Sequence, residues 1–485
     1  MNRYDTLVKI LDELRKEAPI EYKTYYPEDT NIEGLNKARS KAFIHLFLKA
    51  MYGIEKFDDR ESYITDDSYD GGIDAYYIDE ESKEVIFIQS KFRTTKANFE
   101  NKEIEYDELL SMDIDRIVEG ENTDEDNNSY NNKILRMQKK IQEIDDIGRY
   151  NYKVIILANL KEKKNKYIKK LTGGFAGDIF NFSRCYNDLV FPVVSGCFFN
   201  AEEIKINLSL TNKEGNEGRI GYTVNTEFSD CKILVSFVPL IEIAKMLYKY
   251  KNSVLKYNPR CFLGLKNNQV NPQIANTVRN KITNEFALFN NGITILSDDT
   301  QINSKVAKKD RAQLIIMNPQ IINGGQTAFT LASLYEECIE DENYSIFNEK
   351  EVLVKIITFI DEQSNKDNSE IIKQKKLKLI ESLSHATNEQ SVVNEIDRRS
   401  NEKILVNYQQ CIYNDFGLFL NRKQGEFYEG INKKYISKKQ IIDLSTFMRI
   451  AVSISGDAKK ARQSSDIVLF RENNFKQYFK NEKDY

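Results

Sequence analysis

The chain of 485 residues contains no tryptophan, seven prolines and only two histidines. His45 and His385 lie far apart, which excludes a metal centre built from several histidines and argues against a Ser-His-Asp hydrolase. The six cysteines are irregularly spaced and form no C-x-x-C pair, so a zinc ribbon and a thioredoxin-like motif are excluded. A reducing cytoplasm is therefore the expected compartment.

Long apolar runs are also lacking. The most apolar stretch, residues 233–247, is interrupted by Glu242 and Lys245 and is too short to span a bilayer. Residues 1–17 follow an amphipathic helical pattern broken by charges, which is not the pattern of a signal peptide. With 41% hydrophobic and 30% charged residues, the composition predicts a soluble globular protein with no membrane partner.

The formal net charge of -4 offers nucleic acid no general electrostatic attraction, so any such binding must rest on local basic patches. The length is sufficient for two or three domains. A new apolar strand-helix pattern starts near residue 230. We therefore expect one domain over residues 1–230 and a second over residues 231–485.

The first domain is predicted to contain an α-β-β-β-α-β core over residues 30–160. Thr30 and Glu33 fit a capping box that begins a helix ending near Met51. The remaining elements are strands at 62–65, 73–79 and 85–92, a helix at 132–144 and a strand at 154–157.

Polar residues stand at the ends of the second and third of these strands. Asp70-Gly-Gly-Ile-Asp74 leads into the second strand, while Gln89 and Lys91 lie two residues apart on the third and share one face. A carboxylate, an amide oxygen and an ammonium group at one sheet end suit a hard cation and a water-activating lysine. The alternative is a surface salt bridge beside an ordinary Asp-Gly-Gly turn.

These phrases and this element order resemble the PD-(D/E)xK nuclease core, in the Mrr-like variant that has glutamine in place of the acidic residue. The resemblance implies a restriction-endonuclease-like fold and hydrolysis of phosphodiester bonds by water activated by Mg²⁺, or by Mn²⁺ in its place. It also implies that Asp74, Gln89 and the Ser90 carbonyl ligate the metal and that Lys91 orients the water. Because Gln89 is neutral, metal binding should be weaker than with two carboxylates.

Two further acidic residues have open roles. Glu33 is either a catalytic carboxylate from the preceding helix, as families of this type often supply, or the capping-box partner of Thr30. Asp70 is either a second catalytic ligand or a turn residue. The residue pattern favours the capping role for Glu33 and does not decide between the two roles of Asp70.

The second half carries four polar phrases: FNNGIT at 289–294, PQIINGGQTA at 319–328, ATNEQ at 386–390 and LNRK at 420–423. The second phrase predicts a strand, a Gly-Gly turn and a helix from about Thr327. Backbone amides at such a turn can hold an anion. No Lys-Ser/Thr pair follows the glycines, so this is not a Walker A loop.

In this order the four phrases resemble the abortive infection phage resistance (AIPR) family, from about Val235 to near the C terminus. The resemblance implies a bacterial role in defence against phage, with an Mrr-like nuclease region commonly in front. The expected fold class is thus α/β (α+β), a nuclease core followed by a mixed α/β AIPR module. The family implies no settled chemistry for this module.

Neutral hydrogen-bonding side chains dominate the module, and they suit nucleotide or base edges better than acid-base chemistry. Candidates for contact with a ligand or nucleic acid are Asn290, Asn291, Asn323, Gly324, Gly325, Gln326, Thr327, Asn388, Gln390, Arg422 and Lys423. The alternative is that these residues cap helices and satisfy turn backbones.

The sequence therefore predicts a cytoplasmic defence endonuclease with a module that senses a signal or grips nucleic acid. DNA is favoured over RNA as the substrate, a nucleotide is a candidate trigger, and a homodimer is expected because two strands need two cuts. The alternative function is a non-catalytic defence protein that binds nucleic acid or senses a nucleotide.

Overall fold

The computed structural model describes residues 2–28, 30–80, 82–105, 108–160, 165–175, 177–211, 213, 219–226, 230–258, 270–304, 306, 309–339, 341–360, 378–380, 382–383, 386, 396 and 399–479. It divides into two compact units, the first comprising Met1–Val193 with Lys433–Ile436 and the second Val194–Asn432 with Ser437–Tyr485. This division precedes the predicted boundary near residue 230, because strand Glu203–Ser209 pairs with strand Arg311–Met317 of the second unit.

Helices cover much of the first unit. They are α1 (Arg3–Arg15), α2 (Ile32–Tyr52), α3 (Phe57–Glu61), α4 (Lys96–Asn101), α5 (Ile114–Val118), α6 (Asn132–Gln142), α7 (Asn165–Leu171), α8 (Phe182–Arg184) and α9 (Phe191–Ser195), with a π-helical segment at Cys185–Val190. The longest, α2, begins after Asn31, whose side chain accepts a hydrogen bond from the backbone of Gly34. It ends at Gly53, which adopts the left-handed conformation (φ 66°).

One four-stranded sheet lies in this unit. Its strands are β1 (Ala75–Asp79), β2 (Glu84–Ser90), β3 (Asn151–Leu157) and β4 (Gly177–Ile179), in that order. The β1 and β2 strands form an antiparallel hairpin, whereas β2, β3 and β4 are parallel. The predicted strand at 62–65 is wrong, since only an isolated bridge joins Ile64 to Ala75 among the described residues. The amides of residues 62–64 donate to carbonyls of α3 instead.

The described residues of the second unit form three sheets. Their strands are β5 (Glu203–Ser209), β6 (Arg219–Val224), β7 (Asp230–Pro239), β8 (Ile293–Ser297), β9 (Thr300–Asn303), β10 (Arg311–Met317), β11 (Gln320–Asn323), β12 (Glu351–Ile360), β13 (Phe419–Asn421) and β14 (Ile441–Asp443). The orders are β5-β10-β9, β11-β8-β12-β7-β6 and β13-β14. Within the five-stranded sheet β12 runs parallel to β8 and antiparallel to β7.

Helices pack on these sheets. They are α10 (Leu240–Tyr250), α11 (Val270–Asn280), α12 (Phe286–Phe289) and α13 (Gly325–Ile339), followed by helices at Lys403–Phe416, Tyr428–Asn432, Leu444–Ile454, Ala458–Gln463, Asp466–Leu469 and Glu472–Tyr478. Buried apolar side chains of α10, α13 and the two larger sheets share one core, which includes Leu247, Leu331, Leu314 and Val354. The chain is thus a mixed α/β protein, as predicted. Among the described helices, none combines the length and apolar character needed to cross a bilayer.

Candidate functional site

The loop between α3 and β1 brings acidic side chains together. Gly71 and Gly72 both adopt positive φ (61° and 73°), and a Cβ on Gly72 would lie 2.8 Å from the Ser111 carbonyl oxygen. From the start of α6, the Asn131 side-chain amide donates to the carbonyls of Thr65 and Ser68 at 3.2 and 3.3 Å. These contacts fix the path of the loop.

Three carboxylates converge in this loop. Ligand atoms of Asp66, Asp70 and Asp74 all lie within 4.8 Å of one another. Asp70 Oδ1 accepts from the Gly72 amide at 2.9 Å, and Asp74 Oδ2 accepts from the Ser90 amide at 2.6 Å. The structure therefore joins Asp70 to Asp74 and adds Asp66, which the sequence analysis missed.

Burial makes this cluster costly to ionise. It raises the pKa of Asp74 to about 8, while the Ser90 amide lowers that pKa and the charges of Asp66 and Asp70 raise it. Burial also raises the pKa of Asp70 to about 6, against the lowering effect of the Gly72 amide. Such a cluster favours a positive partner.

Gln89 lies on β2, between two residues that bond to Asp74. The Asp74 amide donates to the Ile88 carbonyl, and the Asp74 carboxylate accepts from the Ser90 amide. The Gln89 side chain is 4% exposed, and its Nε2 donates to the carbonyls of Gly72 and Leu110 at 2.9 and 3.0 Å. Its Oε1 is buried and has no hydrogen-bond partner within the described residues. A buried acceptor without a donor is costly, and it is a suitable oxygen ligand for a hard cation.

Two lysines flank the carboxylates. Lys91 follows the last residue of β2, is exposed, and contributes a positive charge that lowers the pKa of Asp74 slightly. Its backbone amide donates to the Leu157 carbonyl at 2.9 Å, which anchors it to β3. Lys41 of α2 donates to the Asp66 carbonyl at 3.0 Å and lies 3.6 Å from Asp66 Oδ2. The sequence analysis did not predict a role for Lys41.

Glu33 does not reach this cluster. Its side chain is 81% exposed and pairs with Lys37 at 2.9 Å, one turn along α2. Lys41, the helix residue that touches Asp66, lies eight residues further on, about 12 Å along the axis. The capping box is also wrong, because Asn31 rather than Thr30 caps the helix. Glu33 is an exposed residue in the first turn of α2.

In the second unit, the phrases FNNGIT and PQIINGGQTA meet. The antiparallel pairing of β8 with β11 places the start of the first strand against the end of the second. Asn290 donates to the Thr327 hydroxyl at 3.0 Å and accepts from the Gly292 amide at 3.0 Å. Asn323 Oδ1 accepts from the Gly324 amide at 2.6 Å. We call this contact region, residues 290–292 and 323–327, the strand joint.

The glycines of the strand joint allow backbones to approach closely. A Cβ on Gly292 (φ 88°) would lie 2.7 Å from the Leu353 carbonyl oxygen, and one on Gly324 (φ 83°) would lie 2.8 Å from the Gly292 carbonyl oxygen. Gly325 begins α13, and a Cβ there would lie 3.0 Å from Asn258 Nδ2. These polar and glycine residues therefore serve packing between β8, β11 and β12.

Two members of the joint remain open to other contacts. Asn291 is exposed, and the Gln326 Oε1 atom is buried without a hydrogen-bond partner among the described residues. Gln326 lies in the first turn of α13. One buried acceptor does not make an anion site, since anions need donors.

The sequence model of the family described as AIPR protein matches residues 255–484. The match agrees with the AIPR resemblance over these residues, which make up just under half of the chain. The match does not include β2 or the loop between α3 and β1, residues 62–74, which we call the acidic loop. No curated protein and no solved structure matches the chain.

In the segment that the AIPR model matches, residues 255–484, the side chains of Arg422 and Lys423 bond to other residues of the same unit. Arg422 pairs with Glu426 at 2.8 Å and donates to the Ser400 carbonyl at 3.0 Å. Lys423 is 4% exposed and donates to the Lys256 carbonyl at 2.5 Å. Both side chains thus tie loops together within this unit, and their role in contacting a ligand or nucleic acid stays a prediction. Asn388 and Gln390 lie outside the described residues.

Proposed function

We propose that the first unit is a metal-dependent endonuclease that acts in phage defence. The observation that carries the proposal is the cluster of three carboxylate groups within 4.8 Å. On strand β2, the buried Gln89 Oε1 atom has no donor among the described residues. The ion pair with Lys41 compensates one of the three carboxylates, and like charges that lie this close repel one another. A divalent cation would compensate them.

The residues present fit Mg²⁺ or Mn²⁺. Hard cations take oxygen ligands, and Asp70, Asp74, Gln89 Oε1 and the Ser90 carbonyl would hold the ion, with Asp66 as an additional carboxylate. When bound, the ion supplies Lewis acidity and a water of lowered pKa. Because Gln89 is neutral, the ligands carry less negative charge in total than they would if a carboxylate stood at position 89.

The chain's own groups provide orientation and positive charge. The Ser90 amide holds Asp74 Oδ2 at 2.6 Å, so one carboxylate oxygen is fixed by the strand. Lys91 is exposed and its positive charge lowers the pKa of this carboxyl, and its ammonium would donate to a phosphate oxygen or to the attacking water. Lys41 holds the Asp66 end of the cluster.

The substrate class rests on the resemblance to Mrr-like nucleases, which favours DNA over RNA. Two cuts in a duplex require two sites, which a homodimer would supply. The AIPR segment would then couple cleavage to infection, in keeping with the family match.

Cleavage of plasmid DNA and of total RNA in Mg²⁺ or Mn²⁺ tests the proposal. Wild type should cut one substrate, and Lys91→Ala should cut it at least about a hundredfold more slowly. Lys139→Ala is the matched control, because this lysine is 76% exposed on α6 and its ion-pair partner among the described residues is Glu143. Equal rates for wild type and Lys91→Ala would overturn the assigned role of Lys91.

Nucleic-acid binding separates the enzyme from the non-catalytic alternative. An endonuclease should lose cleavage in Lys91→Ala while retaining most of its affinity for DNA. A protein that binds DNA in Mn²⁺, and whose wild type never cuts it, would instead be a non-catalytic binder.

A further inference from the structure

A cavity of about 460 Å³ lies in the second unit at the carboxyl ends of β8 and β12. Its volume is within the range of about 300–1,000 Å³ typical of small-molecule sites. Leu296, the penultimate residue of β8, and Phe359 of β12 contribute to its wall. In α/β sheets, ligands commonly bind beyond the carboxyl ends of parallel strands.

The cavity lies at the opposite end of these strands from the strand joint. β8 runs from the joint towards Ser297, and β11 returns from Gln320 to the joint, so Ser297 and Gln320 both line the cavity. The two regions are separated by the length of β8, about 15 Å. The cavity is therefore distinct from the residues that the sequence motifs indicate.

The floor of the cavity is apolar and partly aromatic. Leu296, Phe359 and Ile380 are buried there, and Tyr257 is half-buried beside them. A floor of this kind suits the face of a flat ring, because aromatic and aliphatic side chains pack well against planar heterocycles.

One side of the rim carries a carboxylate and an amide. Asn318 Nδ2 donates to Asp298 Oδ2 at 2.8 Å, and both residues are exposed. Asn318 has a positive φ of 46°, and its backbone amide donates to the Glu202 carbonyl at 2.7 Å, which holds it in place. A carboxylate and a primary amide together can both accept from and donate to the edge of a nucleobase.

Lys256 supplies a positive charge at the rim. Its ammonium group donates to Asn200 Oδ1 at 2.8 Å, and an ammonium has three donors. Its backbone is fixed independently of the side chain, because its amide donates to Gln320 Oε1 at 3.0 Å and its carbonyl accepts from Lys423 at 2.5 Å. The ammonium is thus available to an anionic group without being needed for the loop.

We propose that this cavity binds a mononucleotide. The base lies on the floor formed by Tyr257, Phe359 and their aliphatic neighbours, the polar edge of the base meets Asp298 and Asn318, and the phosphate meets Lys256. The inference does not rest on the nuclease proposal, since it concerns a different unit and different residues. The proposal assigns a ligand of defined chemistry to a cavity that is lined largely by residues of the segment matched by the AIPR model.

Calorimetric titration of the full chain tests this site with ATP, GTP, AMP, GMP, adenosine and guanosine as probes. At least one nucleotide should bind. Lys256→Met should weaken that binding about tenfold, the usual effect of losing a charge-assisted hydrogen bond, and should leave binding of the nucleoside unchanged. Lys245→Met, an exposed lysine on α10 that does not line the cavity, should bind as wild type does.

Two further variants examine the cavity itself. Ala201 lines it and is 8% exposed, so Ala201→Leu should fill part of the space and abolish binding of nucleotide and nucleoside alike. Asp298→Asn should change the ratio of adenine to guanine affinity, whereas Asp299→Asn should not. Circular dichroism establishes that each variant is folded.

Three results would overturn the proposal. One is that no probe binds at concentrations up to about 1 mM. Another is that nucleotides bind Lys256→Met and Ala201→Leu as tightly as wild type. The third is that Gln326→Ala, in the strand joint, abolishes nucleotide binding while the cavity variants retain it.

Discussion

The acidic loop of the first unit and the strand joint of the second are both rich in polar residues, but their polar atoms have different surroundings. In the acidic loop, three carboxylates crowd together and the Gln89 Oε1 atom has no donor among the described residues. In the joint, Asn290 and Thr327 bond to each other and Asn323 bonds to the Gly324 amide, although Gln326 Oε1 has no partner among the described residues. The crowding of three carboxylates, rather than one unpartnered amide oxygen, therefore distinguishes the candidate site from the structural motif.

This difference has an energetic meaning. Satisfied side-chain hydrogen bonds contribute to stability, and buried acceptors or carboxylates without counter-charges reduce it. The comparison predicts that substitutions in the joint destabilise the protein, and that a substitution in the acidic loop stabilises it while impairing cation binding.

The largest effect is expected in the strand joint at Gly324. A Cβ there would lie 2.8 Å from the Gly292 carbonyl oxygen, and the residue has a φ of 83°. Gly324→Ala should lower the free energy of unfolding by about 3 kcal/mol, as measured by urea denaturation. Gly221→Ala is the control, because a Cβ at Gly221 would meet nothing within 4 Å. Equal stability of the two variants would contradict the close approach.

Substitution of the two adjacent asparagines of the joint, Asn290 and Asn291, distinguishes a structural role from a binding role. Asn290→Ala removes the bonds to Thr327 and Gly292 and should cost about 1–2 kcal/mol of stability. Asn291→Ala alters an exposed side chain and should change stability by less than about 0.5 kcal/mol. Thermal unfolding measures both, and a costly Asn291→Ala would show that the joint is described wrongly.

Asp74→Asn should stabilise the cation-free protein by about 1 kcal/mol at pH 8. Burial and the neighbouring carboxylates raise the pKa of Asp74 to about 8, so its ionisation costs folding free energy. The amide oxygen of asparagine can still accept from the Ser90 amide. Chemical denaturation in EDTA measures the change, and destabilisation by Asp74→Asn would contradict the account of a crowded site.

A pH dependence of stability is expected at His45, which is buried in α2. Burial lowers the pKa of His45 below 6.5, with the Glu61 hydrogen bond opposing that shift and the Arg60 charge adding to it. Arg60 Nε donates to His45 Nδ1 at 3.1 Å, and Nε2 lies 2.9 Å from Tyr25 OH and 3.2 Å from Glu61 Oε2. Protonation of Nδ1 would therefore break its hydrogen bond with Arg60 in the folded state.

The sign of this effect follows from proton uptake. As pH falls below 6.5, the unfolded chain binds a proton at residue 45 before the folded chain does, so stability should fall by up to about 1.4 kcal/mol per pH unit. His45→Gln should reduce that slope between pH 7 and pH 5, whatever its absolute stability. Urea midpoints across this range measure it, and identical slopes for wild type and variant would contradict the prediction.

Local patterns predicted much of the first unit's order of elements. The β1–β2 hairpin, α6 and β3 lie close to their predicted positions, because their apolar periodicity and turn residues are local signals. Asp74 bonds to Ile88 and Ser90, the two neighbours of Gln89 on β2, because the hairpin register places it beside that strand. The first predicted strand was wrong because the amides of Ser62, Tyr63 and Ile64 donate to carbonyls of α3 instead of to a neighbouring strand.

Long-range contacts were beyond local patterns. Lys41 reaches Asp66 from a helix 25 residues away, and nothing in the spacing of either residue indicates the pairing. Lys423 looked like an available cation because its partner, the Lys256 carbonyl, lies 167 residues away in the chain. The Arg422–Glu426 pair spans four residues, and the sequence analysis overlooked it. The cavity beyond β8 and β12 also depends on sheet order, which the polar phrases do not specify.

The central claim is that the acidic loop binds a divalent cation through Asp74. Mn²⁺ binding to the full chain, measured by electron paramagnetic resonance, tests it without a need for substrate or trigger. Wild type and Asp67→Asn, which alters a neighbouring exposed carboxylate, should bind Mn²⁺ alike, and Asp74→Asn should bind it at least about tenfold more weakly. Equal affinity of Asp74→Asn and wild type, or no Mn²⁺ binding by wild type, would contradict the account.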